Sequence, residues 1–186
     1  MQEIRKKPCK GGAGVVKWWT SGRKWSDLEQ KGVEVRRMFF GEYRHSVDDK
    51  GRIIMPSKYR EQLGSTFYIT IDLWGQEEEK CLCVYAEEDF RALCDKLRQM
   101  AASDFETRKL YRKFYSRVQD TSVDKQGRVM ITAELREHAG LDKDIVLAGQ
   151  DDHIEIWNRD KWEAYNEDVE FFKSSKLAEG LRASGI

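Results

Sequence analysis

A short pattern of a carboxylate, a glycine and a guanidinium occurs twice in the chain. Asp48 and Arg52 frame the segment "DDKGR", and Asp124 and Arg128 frame "DKQGR". In a tight turn, the aspartate can accept backbone N–H bonds while the arginine pairs with its charge. Alternatively, the arginine could point outward, because a two-stranded ribbon fits the DNA major groove and arginine matches the O6 and N7 atoms of guanine. The residues alone leave both roles open.

The pattern lies inside a longer repeat. Residues 45–64 read "HSVDDKGRIIMPSKYREQLG" and residues 121–140 read "TSVDKQGRVMITAELREHAG". Identical residues occupy eight of the twenty aligned positions, namely Ser46/Ser122, Val47/Val123, Asp48/Asp124, Gly51/Gly127, Arg52/Arg128, Arg60/Arg136, Glu61/Glu137 and Gly64/Gly140. An internal duplication of one structural unit is the simplest explanation.

Local composition predicts a β-hairpin and a short helix in each copy. Branched and aromatic residues in "FFGEYRHSV" and "RIIM" favour strands on either side of the first turn, where Gly51 fits a positive φ. Pro56 should begin the helix "SKYREQL" and Gly64 should end it. In the second copy, strands "RVQDTSV" and "RVMI" precede the helix "AELREHA", with Thr132 as its N-cap and Gly140 at its end.

Further strands and longer helices follow each copy. The first is followed by strands in "TFYITID" and "CLCVYAEEDF", and the second by strands in "DIVLAG" and "HIEIWNRDKW". Helices are predicted in "EEDFRALCDKLRQM", "DFETRKLYRKFYSR" and "RDKWEAYNEDVEFF". The fold class is therefore α+β, and each small unit should need its twin to complete a core.

The predicted organisation has five parts. It comprises an unstructured N-terminal extension (1–37), repeat 1 (42–89), connecting helices (90–117), repeat 2 (118–161), and a C-terminal helix with a tail (162–186). The extension carries ten basic and four acidic residues without apolar periodicity. That composition does not favour a packed core.

Composition also excludes several functions. With 35% charged and 40% hydrophobic residues and no long apolar run, the chain should be cytoplasmic, with no membrane partner. The three histidines lie far from the four cysteines, so we expect neither a metal nor a cofactor. Cys81 and Cys83 should share one strand face as buried thiols. No nucleophile or phosphate-binding glycine loop accompanies Asp48 or Asp49, which argues against an enzyme and a small-molecule substrate.

The segments "MFFGEYRHSVDDKGRIIMPSKYRE", "YRKFYSRVQDTSVDKQGRVMITAELREHAGL" and "IEIWNRDKWEAY" resemble MraZ, a family of bacterial transcriptional regulators with two AbrB/SpoVT-type repeats. The resemblance covers about residues 38–170. It implies a swapped-hairpin β-barrel with flanking helices, in which the two halves form a pseudo-two-fold pair. It also implies that protomers assemble into a homo-oligomeric ring.

The resemblance further implies a nucleoid-associated regulator, expected to be a repressor. It would bind guanine-rich direct repeats in double-stranded promoter DNA, ahead of its own division and cell-wall gene cluster. The family's DNA-binding arginine falls on Arg52 and Arg128, and the turns are supported by Asp48, Gly51, Asp124 and Gly127. Further candidates for phosphate contacts are Lys50, Lys125, Arg44 and Arg60, for which solvated surface charge is the alternative role.

Residues 1–37 carry a separate hypothesis. Similarity to the family begins near Met38, so this segment could be translated from an upstream start codon. Lys17–Trp18 and Lys24–Trp25 both require AA(A/G)TGG, seven codons or 21 nucleotides apart. This spacing is about two turns of B-DNA, so we hypothesise that the segment encodes operator repeats. A basic tail that assists DNA binding is the alternative.

Three rival functions remain open. An antitoxin-like regulator of the same fold would bind a protein partner through its tail. An enzyme would use Asp48 or Asp49 as an acid or base, although the groups that should accompany it are missing from the sequence. A purely structural ring would assemble without affinity for DNA.

Overall fold

The computed structural model describes residues 37–73, 79–101 and 105–167, together with residues 180 and 183. The elements below belong to one compact unit, Met38–Ile186. The predictions for residues 1–36 and for most of the tail after residue 167 lie outside the described residues. The division of the chain into five parts stays a prediction.

The described residues form eight strands and five helices. The strands are β1 (Glu42–Ser46), β2 (Arg52–Ile54), β3 (Phe67–Ile71), β4 (Leu82–Ala86), β5 (Gln119–Thr121), β6 (Arg128–Met130), β7 (Asp144–Gly149) and β8 (Ile154–Asn158). The helices are α1 (Ser57–Leu63), α2 (Glu87–Ala101), α3 (Phe105–Tyr115), α4 (Ala133–Ala139) and α5 (Arg159–Glu167). Each copy thus contains the predicted strand, turn, strand and short helix.

Glycines end both short helices, as predicted. Gly64 has a φ of 81°, and Gly140 is left-handed, with its N–H directed to the carbonyl of Glu137. The start of α4 differs in detail from the prediction. Thr132 occupies the N-cap position, but its side chain makes no capping hydrogen bond.

One antiparallel sheet contains strands of both repeats. Its order is β1-β7-β8-β4-β3-β5, so β1 of the first repeat pairs with β7 of the second, and β5 of the second pairs with β3 of the first. A separate two-stranded ladder pairs β2 with β6, again across the repeats. The α+β class is confirmed. The sheet is open, with β1 and β5 at its edges, so the predicted closed barrel is not confirmed.

The register shows the internal symmetry. His45 lies opposite Ile145, and the equivalent residue Thr121 lies opposite Phe67. The β2–β6 ladder is symmetric about the pair Ile53 and Val129. Each repeat therefore contributes the same surfaces to the other.

The sheet separates two clusters of buried side chains. On β4, Leu82 and Val84 face the main core, which also contains residues of the β2–β6 ladder, α1 and α4. Cys81 and Cys83 face the second core, with residues of α2, α3 and β8. Because β4 is buried on both faces, its sequence is apolar throughout. Both cysteines are free buried thiols that face the same core, as predicted, although Cys81 directly precedes β4.

The described residues contain neither a membrane-spanning helix nor a metal-ligand cluster. None of their helices is long and apolar enough to cross a membrane. Their histidine, cysteine, aspartate and glutamate side chains include no group of three that could hold a metal ion.

Candidate nucleic-acid interface

The turn between β1 and β2 is held by Asp48. One carboxylate oxygen, Oδ1, accepts hydrogen bonds from the backbone N–H groups of Lys50 and Arg52, both at 2.9 Å. The other, Oδ2, accepts from Nε and Nη2 of the Arg52 side chain at 2.7 and 2.6 Å. Gly51 has a φ of 76° and donates its N–H to the Asp48 carbonyl at 2.8 Å. One aspartate therefore fixes both the backbone of the turn and the direction of the guanidinium.

The second turn repeats this geometry. Asp124 Oδ1 accepts from the N–H groups of Gln126 and Arg128 at 2.8 and 2.9 Å. Asp124 Oδ2 accepts from Nε and Nη2 of Arg128, both at 2.8 Å. Gly127 has a φ of 81°. The different sequences "DDKG" and "DKQG" thus form the same turn.

The guanidiniums shift the titration of both carboxyls. The hydrogen bonds that Asp48 accepts from the side chain and backbone of Arg52 lower its pKa to about 2. Asp124 likewise has a pKa of about 2, because of the backbone and side-chain bonds from Arg128. The bond to Asp48 also raises the pKa of Arg52, and the Asp124 carboxylate of the other turn adds to this shift. The two turns therefore lie close enough to interact.

We expect both turns to survive moderate acid and to open near pH 2. A depressed pKa means that the contribution of each carboxylate to stability is present above the unfolded-state pKa, near 4, and is lost as pH falls through about 2. Carboxyl-carbon NMR should show both side chains titrating with midpoints near 2. Midpoints near 4 for Asp48 and Asp124 would contradict the turn geometry.

The outer face of the β2–β6 ladder carries four side chains, which we call the ribbon face: Arg52, Ile54, Arg128 and Met130. Arg52 lies opposite Met130, and Ile54 opposite Arg128. The arginine side chains are 24% and 29% exposed, whereas the intervening Ile53 is buried in the main core. Alternation along each strand therefore places both arginines on one accessible surface.

Each turn also contacts an arginine of the opposite repeat. A Cβ atom added to Gly51 would lie 2.9 Å from Nε of Arg136 on α4, and one added to Gly127 would lie 2.8 Å from Nη1 of Arg60 on α1. Both distances are shorter than ordinary contacts. The glycine and the arginine that are identical in the two repeats thus contact each other across the repeats. Arg136 contacts Gly51, and Arg60 contacts Gly127.

The other predicted residues fall into two groups. Lys50 and Lys125 are exposed within the two turns. Arg44 instead bonds to Glu42 at 3.2 Å and to Glu163 of α5 at 3.4 Å, so it belongs to a network with α5. The structure therefore does not bring Arg44 into the same arrangement as the ribbon-face arginines.

Sequence reasoning missed three residues of this region. Ile54 and Met130 are large apolar side chains with 52% and 46% exposure. Strand alternation could have placed them outward once Ile53 and Val129 were assigned to the core. Arg136 was visible as an identity with Arg60, but nothing local indicated that either side chain reaches the opposite repeat.

Fold and site define a duplicated α+β protein that presents two carboxylate-bound arginines on an exposed β ribbon. The model of the family described as "MraZ protein, putative antitoxin-like" matches residues 38–113 and again 114–181. These matches cover well over half of the chain, one per repeat. The chain belongs to the MraZ family.

Relatives in several bacteria support this assignment, and each is named Transcriptional regulator MraZ. The relative from Acetivibrio thermocellus is 42% identical over 149 residues, 80% of this chain and 100% of its own length. That from Lachnoclostridium phytofermentans is 46% identical over 131 residues, 70% of this chain and 89% of its own. That from Heliobacterium modesticaldum is 44% identical over 130 residues, 70% of this chain and 87% of its own.

Proposed function

We propose that this chain is a sequence-specific DNA-binding regulator of transcription, and that its ribbon face enters the major groove. The observation that carries the proposal is the pair of oriented, partly exposed guanidiniums on a two-stranded ribbon. A ribbon of this width fits the major groove, where arginine is the side chain best matched to guanine. The names of the relatives agree with this role.

Pairing with aspartate is compatible with reading a base. A guanidinium has five N–H donors, and Asp48 engages only the edge formed by Nε and Nη2 of Arg52. Nη1 and the outer hydrogen of Nη2 can still form two parallel bonds to guanine O6 and N7. The aspartate would orient the fork before DNA arrives, so that less side-chain freedom is lost on binding. The structural and DNA-binding roles of the motif can therefore coexist.

The apolar members of the ribbon face fit the same use. Ile54 and Met130 flank the arginines across the ladder and are about half exposed. Apolar side chains in the major groove contact the methyl group of thymine. Lys50 and Lys125 at the turns would meet phosphates, adding affinity that is independent of sequence. Arg44 is a weaker candidate because of its acidic partners.

The proposal also includes the predicted swapped-hairpin arrangement, the ring on direct repeats and repression. Strand exchange between the repeats supports a swapped-hairpin arrangement with pseudo-two-fold symmetry. Each arginine fork supplies about 1–3 kcal/mol of base discrimination, which is too little for one protomer to select a promoter sharply. A ring would place several ribbons on successive direct repeats and multiply the selectivity. Occupation of the chain's own promoter would then repress transcription.

Binding to the DNA upstream of the coding sequence tests the proposal. We expect the full chain to prefer a duplex spanning that region and codons 1–38 over a shuffled duplex of equal length and composition. Affinity should fall steeply with salt, because phosphate contacts release counterions. Gel-shift titrations at several salt concentrations measure both effects. Equal affinity for the two duplexes at every salt concentration would rule out sequence-specific recognition.

An antitoxin-like role is the second candidate, favoured by the description of the matching family. It requires a protein partner in addition to DNA. Purification of the full chain from its own cells, followed by mass spectrometry, would show a small protein in stoichiometric amount. Deletion of the gene for that partner should leave DNA binding by this chain intact but change how that binding is regulated.

A further inference from the structure

We infer that Arg60 and Arg136 are positioning residues that hold the DNA-contacting turn of the opposite repeat. Arg136 of the second repeat would hold the turn of Arg52, and Arg60 of the first would hold the turn of Arg128. The two turns then act as one composite site that neither repeat can build alone. This inference rests on the proposed function for its effect on DNA, but its structural part can be tested without DNA.

The closeness of the guanidiniums to the turn glycines is the first support. At Gly51, the Cζ and Nη2 atoms of Arg136 would lie 3.0 and 3.1 Å from an added Cβ. At Gly127, Cζ of Arg60 would lie 3.1 Å away. The planar groups thus occupy the space that any larger residue in the turn would need. Glycine serves here for close approach as well as for its positive φ.

Reciprocal backbone bonds strengthen the crossed connection. Met55 N–H donates to the Gly127 carbonyl, and Ile131 N–H donates to the Gly51 carbonyl, each at 2.9 Å. Met55 and Ile131 lie two residues before the starts of α1 and α4, the helices that carry the two arginines. Each turn is therefore tied to the opposite repeat through its glycine by a main-chain bond and a side-chain contact.

Arg60 and Arg136 also increase the positive charge around the two turns. The first turn, residues 48–52, holds two acidic and two basic residues, and the second, residues 124–128, holds one acidic and two basic residues. Alone, the two turns would sum to a net charge of +1, and Arg60 and Arg136 raise it to +3. A phosphate-contact role for Arg60, the earlier prediction, is the competing explanation. Its effect would be independent of base sequence.

The two contacts are not equal. Arg136 is partly buried, and its Nε also donates to the Ile131 carbonyl at 3.3 Å. Arg60 is exposed. We therefore expect Arg136 to hold the first turn more firmly than Arg60 holds the second.

Amide NMR of the free protein tests the crossed pattern directly. Arg136→Ala should shift the amide signals of Gly51 and Arg52 and leave those of Gly127 and Arg128 nearly unchanged, and Arg60→Ala should do the opposite. Arg91→Ala on α2, which removes an exposed pair with Glu87, is the control and should shift neither. Shifts confined to the turn of the same repeat, or absent from both turns, would overturn the inference whether or not the protein binds DNA.

DNA titrations then separate positioning from phosphate contact. Each alanine variant should weaken binding to the upstream duplex about 3- to 30-fold and the shuffled duplex much less. Arg60→Lys and Arg136→Lys keep the charge but lack the planar fork, and should not restore the preference. Full rescue by lysine, with an equal loss on both duplexes in the alanine variants, would assign these residues to phosphate instead. Absence of any preference in the unsubstituted protein would reject the proposed function while leaving the NMR result to decide this inference.

Discussion

Replacing Arg52 with lysine should remove most of the sequence preference of DNA binding while retaining the sequence-independent component. Lysine can still pair with Asp48 and keeps the positive charge, but it cannot present two parallel donors to guanine. One lost fork corresponds to about 1–3 kcal/mol of discrimination, or roughly a 5- to 150-fold smaller preference for the upstream duplex over a shuffled one. Competition gel shifts at constant salt measure this ratio.

Two matched variants make the Arg52 result specific. Lys50→Ala removes an exposed charge from the same turn and should weaken binding to both duplexes by a similar factor. Arg128→Lys repeats the experiment in the second turn, which is one charge unit more positive than the first. A sequence preference that persists unchanged in both lysine variants would mean that the ribbon-face arginines only stabilise the turns and do not read bases.

Much of each repeat could be predicted because its signals are local. A glycine ahead of arginine predicted the positive φ of Gly51, and Gly64 and Gly140 marked the ends of the short helices. Runs of branched residues located β7 and β8 closely. These features depend on a few neighbouring residues, and those neighbours are visible in the sequence.

Pairing between the repeats could not be predicted in the same way. Internal identity shows that two units are alike, but a strand that pairs within its own repeat and one that pairs with the other repeat have the same composition. The exchange of β1 and β5, and the contacts of Arg60 and Arg136, depend on how the chain closes at long range. The resemblance to the MraZ family implied that strands exchange between the repeats. It also implied a β-barrel, which is not confirmed because the sheet is open.

The candidate site shows the same division between local and long-range information. Asp48 and Arg52 are four residues apart, so their pairing could be stated in advance as one of two roles. Arg44 is equally near in sequence, yet it pairs with Glu163 of α5. Proximity in sequence therefore predicted the Asp48–Arg52 pair but not the acidic partner of Arg44.

Gly149 is expected to be the glycine least tolerant of substitution in the described part of the chain. A Cβ atom there would lie 2.4 Å from the backbone nitrogen of Phe40 and 2.5 Å from the carbonyl carbon of Phe39. Main-chain atoms cannot move aside as a flexible side chain can. The segment in contact is also fixed by two bonds between Phe39 and Asp151, at 2.7 and 2.9 Å, and by the N–H of Gly149 donating to Gly41 at 2.9 Å.

Gly149→Ala should therefore displace Phe39 from the main core. Phe39 is 1% exposed and packs edge-on against Tyr59 with ring centroids 5.8 Å apart, so its loss resembles a large-to-small core substitution. We expect the free energy of unfolding to fall by about 3–5 kcal/mol in urea titrations.

Gly64→Ala is the matched control. Its Cβ would meet nothing within 4 Å, so only the backbone strain of φ 81° with ψ −160° remains, about 1–3 kcal/mol. In a Phe39→Ala background, Gly149→Ala should cost much less than in the unsubstituted chain, because the ring is already gone. Full additivity of the two substitutions would show that Gly149 does not act through the docking of Phe39.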